Sequence, residues 1–236
     1  MNKTTQLKKL LLQRKALPCP GVYDALSARM VEYCGFQACQ ISGFGVSASS
    51  LGMTDASFTS LEEIVRITSN IVRAVDIPVM TDADTGYGNA VNVWWTTKRL
   101  EETGAAGMNL EDQCFPKRCG HMAGKQLISL GEMVGKIRAA VDAKRDPDFV
   151  INARTDAAYV CGIEEAIRRG NAYLEAGADM VFVESPVSAE EVKRAIEQIK
   201  GPVSINMLEG GRTPMLTFEE LRQLGAARVS CPCLPR

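Results

Sequence analysis

The chain is 236 residues long, enough for one large domain or two small ones, and 46% of it is apolar, enough to fill a sizeable core. With 27 basic against 28 acidic residues, the formal net charge of -1 gives no electrostatic reason to expect nucleic acid or an anionic membrane as partner. No apolar run approaches the ~20 residues of a membrane helix, so a soluble protein acting on a small molecule is expected.

Eight cysteines would suggest disulfides in a short secreted chain, but MNKTTQLKKLLLQRK carries charges through its apolar positions and shows no cleavage-site pattern. A reduced, cytoplasmic protein is expected. Eight short β-rich runs then follow in order, each with a proline or glycine in front of it. Pro18 or Pro20 precedes GVYDA, Gly35 precedes FQACQISG, Pro78 precedes VMTDAD and Gly104 precedes AAGMNLED. Pro147 precedes DFVINARTD, Gly177 precedes ADMVFVES, Pro202 precedes VSINMLEGG and Gly225 precedes AARVSCP. The runs are nearly continuous in apolar character, as parallel strands covered on their outer face should be.

Helical patterns lie between them, such as the stripe Leu61, Ile64, Val65, Ile71, Val72 and Val75. A capping-box spacing opens it at Thr59-x-x-Glu62 and recurs at Ser129-x-x-Glu132, Ser188-x-x-Glu191 and Thr217-x-x-Glu220. Eight alternating strand and helix units predict a closed (β/α)8 TIM-type barrel, one domain over residues 1–236. The chain stops at Arg236, soon after the eighth run, so the segment for the eighth helix is expected to be lacking. A shortened gene product and a covering partner subunit both fit that expectation.

Barrel active sites gather where strands end. The polar residues closing the runs are Tyr23 and Asp24, Ser42 and Gly43, Asp82 and Asp84, Glu111 and Asp112, Asn152, Arg154 and Asp156, Glu184, Asn206, and Ser230. Several acids and one arginine at one mouth suit an anionic ligand held through a hard cation. Asp82 and Asp84, at spacing two on one side of a strand and followed by a glycine-rich loop, suggest Mg²⁺, with Asp55 and Glu111 strengthening that reading.

Downstream, Lys117-Arg118-Cys119-Gly120-His121 follows a proline in a mobile loop and holds the only histidine. Positive neighbours lower a thiol pKa, which suits Cys119 to acid or base work. The glycine-rich Gly43-Phe44-Gly45 turn follows the second run and lacks an acid suited to a ribose, so a carboxylate held by its amides and by Ser42 is expected rather than a dinucleotide. Neither a zinc site nor a Ser-His-Asp triad can be assembled.

From about Pro20 to Ser230 the chain resembles the isocitrate lyase and phosphoenolpyruvate mutase superfamily. The resemblance rests on PGVYDALSARM, SGFGVSAS, DADTGYGN, NLEDQ, PKRCGH, GKQLIS, INARTDA, EAGADMVFVES and NMLEGGRTP, in that order. It implies a (β/α)8 barrel, usually a homotetramer whose subunits exchange the eighth helix, using Mg²⁺ (Mn²⁺ as the alternative) on 2-oxo acids or their enolates. It further implies Asp82 as direct metal ligand, with Asp84, Asp55 and Glu111 on metal-bound waters. Ser42, Gly43 and Phe44 would grip a carboxylate, Gly120 would add a substrate contact, and Arg154, Glu184 and Asn206 would hold the reacting oxygen. Cys119 would be the acid, with His121 beside it. K-[KR]-C-G-H is similar to the signature of the carbon–carbon lyases, where the phosphomutases resemble one another in having asparagine at the cysteine.

The expected reaction is therefore cleavage of a 2-alkylmalate or 2-methylisocitrate-type acid to pyruvate or another 2-oxo acid plus a carboxylate. Gln40 departs from the tyrosine that 2-methylisocitrate lyases tend to have there, which keeps an alkylmalate open as substrate. The rival expectations are a carboxyphosphonoenolpyruvate-type phosphonomutase, an oxaloacetate hydrolase, and an inactive barrel that binds a full-length relative.

Overall fold

The structure, a computed structural model, describes residues 1–119 and 122–232. Eight parallel strands close into a barrel in chain order, each hydrogen-bonded to its sequence neighbours and the last to the first. They are β1 (Leu17–Val22), β2 (Cys39–Ile41), β3 (Val79–Asp82), β4 (Gly107–Glu111), β5 (Val150–Thr155), β6 (Met180–Val183), β7 (Val203–Asn206) and β8 (Arg228–Cys231). All eight expected strands are present. The end of the chain beyond Pro232 lies outside the described residues.

The helices are α1 (Lys3–Leu12), α2 (Ala25–Tyr33), α3 (Gly43–Val46), α4 (Leu61–Ala74) and α5 (Ala90–Glu101) in the first half. In the second half come α6 (Leu130–Ala143), α7 (Ala157–Cys161), α8 (Ile163–Glu175), α9 (Ala189–Gln198) and α10 (Phe218–Leu224). None of them is long and apolar enough to cross a membrane. The charged N-terminal segment becomes α1, whose Leu7 and Leu11 pack on Leu17, Cys19, Met80, Val150 and Met180 and close the N-terminal end of the barrel.

Two local expectations are corrected. Pro18 and Pro20 lie inside β1, not ahead of it. Backbone groups of a strand face alternate neighbours: Leu17 N–H reaches Ala227 O on the β8 side at 3.0 Å, while Val22 O accepts Ser42 N–H on the β2 side at 2.9 Å. The two prolines share Val22's parity, so their missing donors face β2, which pairs only from Gly21 and Gln40 onward. The cap of α4 is Ser60, paired reciprocally with Glu63, and not Thr59 with Glu62. Thr59 is already engaged by the Ser47 hydroxyl at 3.1 Å in a buried contact.

Ser129, Ser188 and Thr217 cap α6, α9 and α10 as expected, and Thr217 with Glu220 forms the full reciprocal box. Strand alternation then sorts the side chains. Cys39, Ile41, Val79, Met108, Leu110, Ile151 and Ala153 turn outward into the layer between sheet and helices. Their neighbours in sequence, Gln40, Met80, Asn109, Asn152 and Arg154, turn inward, which carries the polar residues at the strand ends to one mouth.

Candidate active site

The mouth holds a cavity of about 230 Å³. Ser42, Gly43, Phe44, Asp55, Asp82, Glu111, Cys119, Arg154, Glu184 and Asn206 all line it, so ten of the expected site residues meet there. Asp84 lies behind this wall, in a small adjoining cavity with Asp82, Asp55 and Tyr87. Gly120 and His121 lie outside the described residues.

Asp82 ends β3, but Asp84 does not continue it. Its φ of 47° puts Asp84 in a left-handed turn, so the two carboxylates are arranged by a bend rather than by strand alternation. Asp82 Oδ1 accepts the Asp84 N–H at 3.0 Å and its Oδ2 accepts the Gly43 N–H at 3.1 Å. A side chain at Gly43 would begin 2.4 Å from Asp82 Oδ2, so only glycine allows this approach. The Gly43 amide is thereby committed to Asp82, and the Ser42 hydroxyl accepts Gly45 N–H at 3.1 Å.

Lys117 is the residue that sequence reasoning placed wrongly. Read there as a cation beside Cys119, it is buried and its ammonium sits 2.7 Å from both Asp55 and Asp84. Arg118 likewise turns away, to the Ala123 carbonyl at 3.1 Å. The loop is also held by Gln113, whose amide donates to Glu111 Oε1 at 3.0 Å and to the Arg118 carbonyl at 2.9 Å while accepting the Arg118 N–H. These ties bring Cys119 to the cavity wall. The signal for Gln113 was present, since it stands two residues after Glu111.

Arg154 faces Glu184 at 3.1 Å and Glu111 at 3.4 Å, and it donates from Nε and Nη2 to the two oxygens of Asp156. Burial alone would lower its pKa, but Asp156, Glu111 and Glu184 hold the guanidinium charged well above its ordinary range. Asn206 is oriented by the Ser230 hydroxyl, which donates to its Oδ1 at 3.0 Å, and it reaches Glu184 with its amide nitrogen.

The carboxylates carry more negative charge than Lys117 and Arg154 balance. Burial pushes the Glu111 acid up to about 8 despite Arg154 and Lys117, and pushes Asp84 up to about 6 despite Lys117. Other rim residues turn out to be structural: Asp24 caps α2 in a box with Ser27, and Asp112 points outward into α8. The seven cysteines of the described residues form no disulfide.

Residues 7–235 match the family model described as phosphoenolpyruvate phosphomutase. The chain belongs to the phosphoenolpyruvate phosphomutase family. Among the members of this family, a 2,3-dimethylmalate lyase of Eubacterium barkeri is 49% identical over 225 residues, 95% of this chain and 78% of that protein. A 2-methylisocitrate lyase of Aeropyrum pernix is 44% identical over 226 residues, covering 96% and 72%. An oxaloacetate acetylhydrolase solved with the inhibitor 3,3-difluorooxalacetate superposes with a TM-score of 0.94 at 36% identity, over 98% of this chain and 80% of that one.

The donor set in this family member fits a hard divalent cation. Asp55, Asp82, Asp84 and Glu111 are all oxygen donors, three of them lining the cavity and Asp84 standing directly behind it. Among the described residues no three of them converge closely enough to ligate one ion directly.

Proposed function

We propose that the protein is a divalent-metal-dependent carbon–carbon lyase that cleaves a 2-alkylmalate or 2-methylisocitrate-type acid to a 2-oxo acid, pyruvate or another, and a shorter carboxylate. One observation carries the reading: a thiol, Cys119, stands on a braced loop across one cavity from Arg154, Glu184 and the carboxylates Asp82 and Glu111. A bound Mg²⁺ or Mn²⁺ ion, held by Asp82 and through waters by Asp84, Asp55 and Glu111, would polarise the oxygen that becomes the 2-oxo group.

The chain's own groups then divide the work. Ser42, Gly43 and Phe44 form the wall against which the substrate carboxylate rests, with Gly120 as a further contact. Arg154 neutralises the hydroxyl oxygen as it loses its proton to the carboxylate cluster, and Glu184, itself reached by the Asn206 amide, fixes the guanidinium. The neighbouring C–C bond breaks toward the departing fragment. Its new electron pair takes the Cys119 proton, with His121 assisting, and the cluster returns a proton to the thiolate.

The test is product release, each with Mg²⁺ and with chelator: a 2-oxo acid from 2-methylisocitrate and 2,3-dimethylmalate, oxalate from oxaloacetate, and phosphoenolpyruvate or pyruvate from phosphonopyruvate. Metal-dependent release from an alkylmalate or from 2-methylisocitrate is expected, and silence across the panel from folded protein rejects the proposal. Replacing Cys119 by serine should lower turnover by on the order of 10² with the fold intact, as loss of a positioned acid does. Oxaloacetate hydrolysis is the second reading, favoured by the similarity to the oxaloacetate acetylhydrolase; oxalate release would identify it. A phosphonomutase would instead turn over phosphonopyruvate.

A further inference from the structure

Cys119 and Arg154 stand on different elements, and one buried lysine touches the supports of both. Lys125 lies at the far end of the Cys119 loop. The base of that loop is an antiparallel contact of Gln113 with Leu127, beside which Cys114 N–H donates to Gln126 O at 2.8 Å. Above the base, Met122 N–H donates to Cys119 O at 2.8 Å and Arg118 Nη1 to Ala123 O at 3.1 Å. Gly124 makes the bend into Lys125 at φ 78°, and a side chain there would begin 3.0 Å from Arg118 Nη1. The position of Cys119 therefore depends on where Lys125 is held.

The Lys125 ammonium donates to Asp156 Oδ1 at 2.6 Å, and neither side chain has any exposed surface. The same oxygen accepts Arg154 Nη2 at 3.1 Å, while Oδ2 accepts Arg154 Nε at 2.9 Å. Asp156 is itself fixed to the sheet by its N–H, which donates to Asp112 Oδ1 at 2.9 Å. Burial opposes its charge, but Arg154 and Lys125 outweigh burial and hold the carboxyl below its ordinary range.

Two cations thus share one carboxylate. Paired with Arg154 alone, Asp156 would draw the guanidinium toward itself and away from Glu184, which lines the cavity and faces Nη2 at 3.1 Å. Tyr159, in the first turn of α7 after Asp156, adds a second hold: the Lys125 ammonium lies 4.7 Å from its ring centre. Lys125 does not line the cavity, so its influence on a substrate passes through these groups.

We propose that Lys125 is a positioning residue of the lyase reaction: acting through Asp156, it seats the end of the Cys119 loop and the Arg154 guanidinium on one carboxylate, so that the proton donor and the group that neutralises the hydroxyl oxygen keep a fixed relation. The inference deepens the lyase reading and rests on it for the reaction.

Two variants test it. Lys125→Gln keeps a donor for Asp156 without the charge, and Lys125→Arg keeps the charge. For each, kcat and KM are measured on a substrate of the panel that is turned over, well below the Tm, together with the rate at which iodoacetamide labels Cys119, followed by mass spectrometry. Cys34 and Cys161, both exposed and away from the loop, serve as internal standards. In Lys125→Gln, kcat should fall roughly tenfold or more with KM within about threefold, the pattern of misplaced reacting groups rather than lost binding. Cys119 should label severalfold faster against unchanged standards, and Lys125→Arg should recover most of both properties.

A lower Tm with kcat and Cys119 labelling unchanged would make Lys125 merely structural and overturns the proposal. So does a raised KM with kcat retained, or a Lys125→Arg that performs no better than Lys125→Gln. If Lys125→Gln does not fold, Lys125→Met, which buries no unsatisfied polar group, takes its place with the same expectations; failure of both neutral variants to fold assigns Lys125 to the fold alone and also overturns the proposal. The lyase reading fails separately, if the unaltered protein turns over no substrate of the panel. The labelling comparison still decides in that case, since equal Cys119 rates in Lys125→Gln and the unaltered protein reject the positioning role.

Discussion

Glu111 and Asp112 are adjacent in the chain and opposite in surroundings. Glu111 turns into the barrel, where Gln113 donates to it at 3.0 Å and Arg154 approaches only to 3.4 Å. Asp112 turns outward and accepts from the Thr155 hydroxyl at 2.7 Å, the Asp156 N–H at 2.9 Å, Arg169 at 3.1 Å and the Tyr173 hydroxyl at 2.7 Å. Burial raises both acids, but four donors fasten Asp112 to β5 and α8, whereas Glu111, pushed up to about 8 by its burial, has the Gln113 amide and the more distant Arg154 against it. One carboxylate is a strut between the sheet and its helices. The other is available to a ligand.

The largest effect should come from removing the strut. Asp112→Ala leaves the Arg169 guanidinium, also held by Glu165 and the Ile128 carbonyl, without its buried partner. A loss of about 3–5 kcal/mol in urea unfolding is expected, the cost of breaking a buried ion pair by removing one member. Glu111→Gln should lose 2-oxo acid release with no comparable loss of stability. If the two variants exchange these outcomes, the division between strut and ligand-facing carboxylate is wrong.

Sequence alone went far toward this picture, and its failures have physical causes. The strands and most helix starts were legible because breakers and capping residues act locally, over three or four positions. Strand parity would also have separated Glu111 from Asp112, once the inward face was known. The grip of Lys117 on Asp55 and Asp84 was not legible, since 62 residues separate it from Asp55 and no local pattern encodes that meeting. Arg228 was hidden for another reason. It begins a short apolar strand with no motif around it to single it out, yet it lies fully buried inside the barrel.

A smaller effect sharpens the comparison through pH. Glu111 holds its proton up to about 8 in the folded protein, against an ordinary value of 4.5. The folded state thus binds more protons than the unfolded state across that window. Its contribution to stability is complete below the unfolded value and is lost as pH rises toward 8, with a slope of up to about 1.4 kcal/mol per pH unit. With chelator present, urea midpoints should fall from pH 5 to pH 8, and Glu111→Gln should flatten that fall. Mg²⁺ should stabilise the protein more at pH 8 than at pH 6, because binding requires the ionised carboxylates. An equal slope in the variant would assign the titration to another group, with Asp84 the first candidate.

The smallest effect isolates a single donor on each side. Tyr173→Phe removes the hydroxyl that donates to Asp112 and leaves the ring in its buried place between α8 and the sheet. Asp112 keeps three donors, so the expected loss is about 1 kcal/mol, with 2-oxo acid release unchanged. Gln113→Leu removes the matching donor from Glu111 and also frees the Arg118 carbonyl that braces the Cys119 loop. It should therefore slow release while costing little more stability than Tyr173→Phe. The pair separates the regions because each change deletes one hydrogen bond to a buried carboxylate, and only the deletion on the cavity side alters the position of the thiol that completes the reaction.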